Sequence, residues 1–346
     1  MTGRSAALQG GLAVAGLLAA HLTWQREPER APGEVTIIDA SKADVARVRY
    51  EDDDNILGLE RRSEGGEPGI QLHVETKAKP VPAKAGATSP PPAPASPARE
   101  LRGNADALKL ADRFAPFVAP RAFGVIEGPK LKELGLDAPT RHLELVVRGD
   151  THKYDVGMAA NAQNGEAFLR DTRDGRVYLM PRQLLTDLSS ARRLVDARLH
   201  AFETKDFDHL TLSVNGKRRE YVHLGRENAS LDGYAPAKTP DKRDQTVKNW
   251  ADALWRAFPM EVLGKGEEPK GGTFKTVFRV EYTEKGKPVG WTEIGRLETE
   301  TASGTGAAAG DVAENIFART EHSIGWSKLH SGDQLITDAD KLVAAP

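Results

Sequence analysis

Four features of this 346-residue chain carry residue types that do chemistry elsewhere: a glycine cluster, nine scattered histidines, an acidic run and a group of tryptophans. The glycine cluster is SGTGAAAG, Ser303 to Gly310. Its glycines at 304, 306 and 310 leave the last one a residue late for a dinucleotide fingerprint, and no Lys-Ser/Thr pair follows to hold a phosphate. None of the histidines forms His-x-x-x-His or His-Glu-x-x-His, the spacings that bring two imidazoles to one metal. EDDDN, Glu51 to Asn55, offers oxygens to a hard cation but lacks the glycine and distal glutamate of a calcium loop; it reads as a hairpin turn with solvated carboxylates. There is no Gly-x-Ser-x-Gly and no Ser-x-x-Lys. A carboxylate pair for glycoside hydrolysis is set in space, so sequence neither supports nor removes it. No catalytic residue, cofactor or metal is expected from these patterns.

Trp250, Trp255, Trp291 and Trp326 all fall in the second half. Trp250 and Trp255 are five apart and cannot share one narrow helical face. One is expected in the core and the other toward a groove or partner. The four tryptophans together mark the second half as the candidate interaction surface.

Composition narrows the field. The absence of cysteine excludes disulfides, thiolate catalysis, Cys-ligated zinc and iron–sulfur clusters. A formal net charge of −2 gives no basic field for nucleic acid. At the N-terminus, Leu8 to Trp24 is an apolar run near the lower limit for a bilayer-spanning helix, with Trp24 suited to an interface. It predicts a single-pass anchor over residues 1–33 with the body exported. A cleaved signal peptide with its apolar core at Leu12 to Ala20 is the rival reading.

The remaining elements look like a body built twice. The first unit, 34–190, opens with a strand at EVTIIDAS and a hairpin around the acidic turn. A Pro-, Ala- and Lys-rich insertion at about 77–99 cannot bury enough apolar surface to offset its ordering entropy and is expected to be disordered. A helix capped by Asn104 follows. Next comes a hairpin, RHLELVVRGDTHKYDVG, with its turn at Gly149-Asp150 and Leu143, Leu145 and Val147 on one face. Two more strands, EAFLRD and RVYLM, and a helix begun by Pro181 complete the unit. The second unit, 191–346, repeats the order: a hairpin turned at Asn215-Gly216, a helix over VKNWADALW, a hairpin turned at Lys285-Gly286, a strand at NIFART and a last polar helix. Ala-Asp-Ala-Leu recurs at Ala105 to Leu108 and Ala251 to Leu254. The expected class is therefore α+β: two similar β-rich units of antiparallel hairpins with short helices, a tandem duplication, after an N-terminal membrane segment.

The order Gly135-Leu136-Asp137-x-Pro139, the alternating hairpin, Val156-Gly157, then Phe168 to Arg170 and Val177 to Leu179 resembles the DUF 4340 domain family. The N-terminal segment and Glu27 to Arg30 fit that family's layout, whereas the Pro-rich insertion and the Thr299 to Asn315 loop depart from it. The resemblance implies a bacterial envelope protein at the inner membrane, body on the periplasmic side. It further implies a non-catalytic accessory or scaffold role beside an ABC transporter permease and auxiliary subunits of the gliding type. A scaffold predicts a flat apolar patch. The competing expectation is a periplasmic binding module for a polysaccharide or lipid headgroup, which predicts a concave pocket between the units with tryptophan at its wall. A hydrolase would need carboxylates or a Ser–His pair within hydrogen-bonding reach.

Overall fold

The computed structural model describes residues 33–64, 67–77, 96–159, 166–228, 230–298, 315–323, 325–330 and 332–344. Within them the alternation of apolar and polar residues does most of the folding. Strand β8 (Arg141–Val147) buries Leu143, Leu145 and Val147, and β9 (Asp150–Met158) buries Tyr154 and Val156. Period-two patterning of this kind commits one face of each strand to the core. Their two-residue turn is Arg148-Gly149, with φ of 51° and 86°, one residue earlier than the expected Gly149-Asp150. Asn215-Gly216 and Lys285-Gly286 adopt the same left-handed pair, the geometry whose twist matches that of flanking strands.

The chain forms three antiparallel sheets. A small one pairs β1 (Val35–Ile38) with β6 (Phe117–Ala119). A nine-stranded sheet runs β5-β4-β3-β2-β8-β9-β10-β11-β7. Its remaining members are β2 (Val45–Glu51), β3 (Asn55–Glu64), β4 (Glu67–Thr76), β5 (Ser96–Arg102), β7 (Ala122–Val125), β10 (Ala167–Asp171) and β11 (Arg176–Met180). An eight-stranded sheet runs β14-β13-β12-β16-β17-β18-β19-β15. Its members are β12 (His209–Val214), β13 (Lys217–Leu224), β14 (Gly233–Pro236), β15 (Pro259–Val262), β16 (Thr273–Glu284), β17 (Lys287–Glu298), β18 (Ile316–Thr320) and β19 (Ser327–Leu329). The two orders superimpose element for element once β5 is set aside. Both terminal strands, β7 and β15, also carry a register shift.

Helices pack on each sheet. Helix α1 (Ala105–Asp112), α3 (Arg182–Leu188) and α4 (Ala191–Leu194) bury Leu110, Leu184, Leu185 and Leu194 in the first core. Asn104 caps α1, its side chain accepting from the N–H groups of Asp106 and Ala107. Helix α2 (Pro129–Glu133) leads into Leu136 on the opposite face. There the backbone passes so close to β9 that a Cβ on Gly157 would lie 2.3 Å from the Leu134 carbonyl oxygen, which is why glycine ends that strand. Helices α5 (Gln245–Trp255) and α6 (Asp333–Ala344) cover the second sheet with Val247, Trp250, Leu254, Leu335 and Leu342.

Several expectations are corrected. The α+β assignment gives way to a predominantly antiparallel β architecture: nineteen strands in three sheets against six short α-helices among the described residues. No helix among them is long and apolar enough to cross a membrane, so the described structure does not support an inner-membrane, single-pass anchored protein. The run Leu8 to Trp24 on which that localisation rested lies outside the described residues, as does SGTGAAAG. The Pro-rich insertion ends earlier than residue 99, because β5 begins at Ser96 and pairs with β4. Helix α4, which lies just past the expected unit boundary at residue 190, buries Leu194 in the first core. Ala-Asp-Ala-Leu starts α1 but ends α5, so the shared tetrapeptide does not mark equivalent positions.

Candidate ligand groove between the two sheets

A groove of about 770 Å³ opens where the two units meet, walled by Asp106, Arg198, His200, Phe202, Trp255 and Phe258 among others. Four elements build it: the N-terminal turn of α1, the linker Val195 to Phe202, the end of α5, and the segment leading into β15. Trp255 reaches it because Val247, Trp250, Ala251 and Leu254 take the core face of α5, leaving Trp255 half-buried at the helix end.

The wall is an aromatic stack. The His200 ring lies parallel to Trp255, centroids 4.6 Å apart at 6°, and Phe202 meets Trp255 edge-on at 5.5 Å. Tyr282 closes the back at 6.0 Å. Contacts of this kind add about 0.5–1.5 kcal/mol each beyond the area they bury, and here they fix the indole plane.

His200 is itself fixed through both nitrogens. Nδ1 sits 3.2 Å from the Glu321 carboxylate and Nε2 3.2 Å from Thr292 Oγ1, which in turn meets the Tyr282 hydroxyl at 3.2 Å. A Glu–His–Thr chain has the outline of an activated nucleophile. Thr292, however, is fully buried, at 0% exposure. No substrate reaches its hydroxyl in this arrangement, and the chain serves to hold the wall. Burial pushes the Glu321 carboxyl up, but the hydrogen bond and charge of His200 and the N–H of Trp291 outweigh it and leave the group below its ordinary value.

The linker is gripped by the turn after β18. Thr320 Oγ1 donates to the Leu199 carbonyl, Glu321 engages His200, and His322 Nε2 lies 3.0 Å from Asp196 Oδ2. Arg102 Nη1 approaches His322 Nδ1 at 3.3 Å. A guanidinium only donates, so Nδ1 accepts and Nε2 carries the proton given to Asp196. Asp196 also takes a forked pair from Arg198, at 3.0 Å and 2.7 Å. Burial alone would raise the Asp196 carboxyl; the bonds from His322 and Arg198 outweigh it and hold the group well below the usual carboxylate range.

The floor of the junction is backbone. Asp196 N–H donates to the Arg102 carbonyl at 2.8 Å and Lys265 N–H to the Glu100 carbonyl at 3.0 Å, so the outer edge of the first sheet is occupied rather than open to pairing. Arg99 adds Glu261 and Glu267, each at 2.9 Å.

Of the four tryptophans expected to form a surface, only Trp255 lines the groove. Trp250 is 3% exposed, its indole N–H donating to the Leu335 carbonyl at 3.0 Å. Trp326 is buried beside Phe274, 4.7 Å between centroids. Trp291 is half-buried on β17 under the Arg279 guanidinium, 4.5 Å from the ring centroid. The expected split between Trp250 and Trp255 matches the structure; the grouping of all four does not. His200, Phe202, Asp196 and Phe258 were not singled out by sequence. The one signal was ARLHAF, an aromatic–imidazole pair two residues apart just after a helix.

The acidic turn is spoken for internally. Asp52 Oδ1 accepts from the N–H groups of Asp54 and Asn55, and Asp53 pairs with Thr140 and Arg141. Among the described residues no group of three His, Asp or Glu side chains is placed to share a metal ion.

No family model, no curated protein and no solved structure matches this chain.

Proposed function

We propose that the protein is a non-catalytic binding module that holds a glycan in the groove between its two sheets. The observation that carries this reading is Trp255. It is an indole left half-buried at a concave wall, its plane fixed by His200 and Phe202, with Arg198 and Asp106 at the rim. An apolar ring face beside a few polar groups is the common make-up of a small-ligand site, and it suits a sugar, which has apolar C–H faces and a hydroxyl rim. The groove is open and its lining mixes polar with aromatic groups, which favours a glycan over a lipid tail.

The test is binding of the full chain to a panel of soluble oligosaccharides and to vesicles of varied headgroup. Saturable oligosaccharide binding that Trp255→Ala weakens tenfold or more supports the reading. Binding to vesicles alone would assign the groove to lipid headgroups, and binding unaffected by Trp255→Ala would move the site elsewhere.

One observation favours a second reading, an accessory scaffold for a transporter component, which the resemblance to the DUF 4340 family implied. Phe123, Val125 and Met158, at 40%, 59% and 40% exposure, expose apolar side chains beside the outer small cluster of the first sheet. Co-purification of a permease with the wild-type chain, lost on Phe123→Ser with Val125→Asp, would support it. Retention of the permease by that variant would count against it.

A further inference from the structure

We infer that the occupant of the groove is an extended chain that crosses the linker into a second groove on its far side; this rests on the glycan reading above. The second groove has about 780 Å³, nearly the volume of the first, and lies against β4, β5 and β15. The two share Val195, Ala197, Phe258 and Pro259 as lining. The divide between them is thus a low saddle: Ala197 contributes only a methyl group, Val195 is half-buried and Pro259 is buried. Along it stand Phe258 and Met260, 66% and 46% exposed. Phe258 is the most exposed of the large apolar side chains among the described residues, and it borders both grooves. A single sugar seated at Trp255 would leave Met260 and the whole second groove uncovered. A chain passing over Ala197 covers both.

The polar lining of the second groove says what kind of chain. Arg99 is divided between Glu261 and Glu267, and Lys328 stands opposite Glu261 in the register of β15 and β19. Arg192 donates to the Met260 carbonyl at 3.3 Å. Arg99, Arg192 and Lys328 thus line it against one carboxylate, Glu261, so donors outnumber acceptors. Guanidinium and ammonium groups only donate, which suits an occupant rich in oxygen acceptors, as a sugar chain is.

The experiment is calorimetric titration of the full chain with neutral oligosaccharide series, gluco- and N-acetylglucosamine-based, from disaccharide to octasaccharide. Affinity is expected to rise with length, by tenfold or more between the shortest binder and the longest, then level off. Met260→Ser, in the second groove alone, is expected to remove that gain while leaving the shortest binder unchanged; the side chain is exposed, so the fold is retained. Gln334→Ala, in the separate groove between α5 and α6 that also borders Phe258, is expected to change nothing. Affinity flat with length while short oligosaccharides bind at Trp255 would overturn the extension and leave the groove reading intact. Loss of the length gain in Gln334→Ala would overturn the path. If no oligosaccharide of any length binds, the groove reading itself falls and this inference with it.

Discussion

His322 lies 3.0 Å from Asp196 although 126 positions separate them in sequence, and both side chains are under a tenth exposed. The pair ties the turn after β18 to the linker, and the linker is one wall of the groove. Asp196→Ala leaves the His322 Nε2–H buried without its acceptor and removes the anchor of Arg198. The expected loss is about 1–3 kcal/mol, read as a lowered urea midpoint with an unchanged slope. A change under about 0.5 kcal/mol would place it among neutral surface substitutions and contradict the anchoring role.

Acid should loosen the same junction. Asp196 and Glu321 have folded-state pKa values below their ordinary values of 3.8 and 4.5. A depressed carboxyl contributes stability that is present above its unfolded pKa and is lost as pH falls toward the folded one. The urea midpoint should therefore decline as pH is lowered below about 4.5, and the decline should be shallower in Asp196→Asn and Glu321→Gln. Equal slopes in all three proteins would refute the assignment.

Trp250 and Trp255 should part company on substitution. Trp250→Ala empties a core position and loses an indole hydrogen bond, costing about 3–5 kcal/mol. Whatever fraction stays folded should bind ligand normally. Trp255→Ala should cost about 2–3 kcal/mol of stability, from its half-buried area and its ring contacts with His200, Phe202 and Tyr282, and in addition weaken binding at least tenfold. The reverse pattern would exchange their roles.

Gly157→Ala tests the close approach of α2 to β9. The added Cβ would meet the Leu134 carbonyl oxygen at 2.3 Å and Leu136 Cγ at 2.7 Å. Forced displacement of packed backbone should destabilise by about 2–3 kcal/mol, measured by thermal or urea unfolding. Full stability in the variant would mean that the Gly135–Pro139 segment moves freely.

The strands were legible because their signals are local. Alternation in Leu143, Leu145 and Val147 and the Asn215-Gly216 and Lys285-Gly286 turns each lie within one hairpin. The Arg148-Gly149 turn was placed one residue late because arginine at φ 51° has no sequence signature of its own. The class was misjudged because short helical periods such as NADALKL weigh as much on paper as strands, yet they form only two-turn helices on broad sheets. The groove was legible only at Trp255. Its other walls come from residues 104–106, 195–202 and 257–259, braced by 320–322, and only the way the two sheets join brings them together.

The most direct test of the groove is an NMR titration of the tryptophan indole N–H signals with a binding oligosaccharide, assigned through single Trp→Phe variants. The Trp255 signal is expected to shift with saturation, while Trp250 and Trp326, both buried, and Trp291, on the outer face of the second sheet, stay in place. A saturable shift confined to Trp291, or none at Trp255 with ligand bound, would contradict the account.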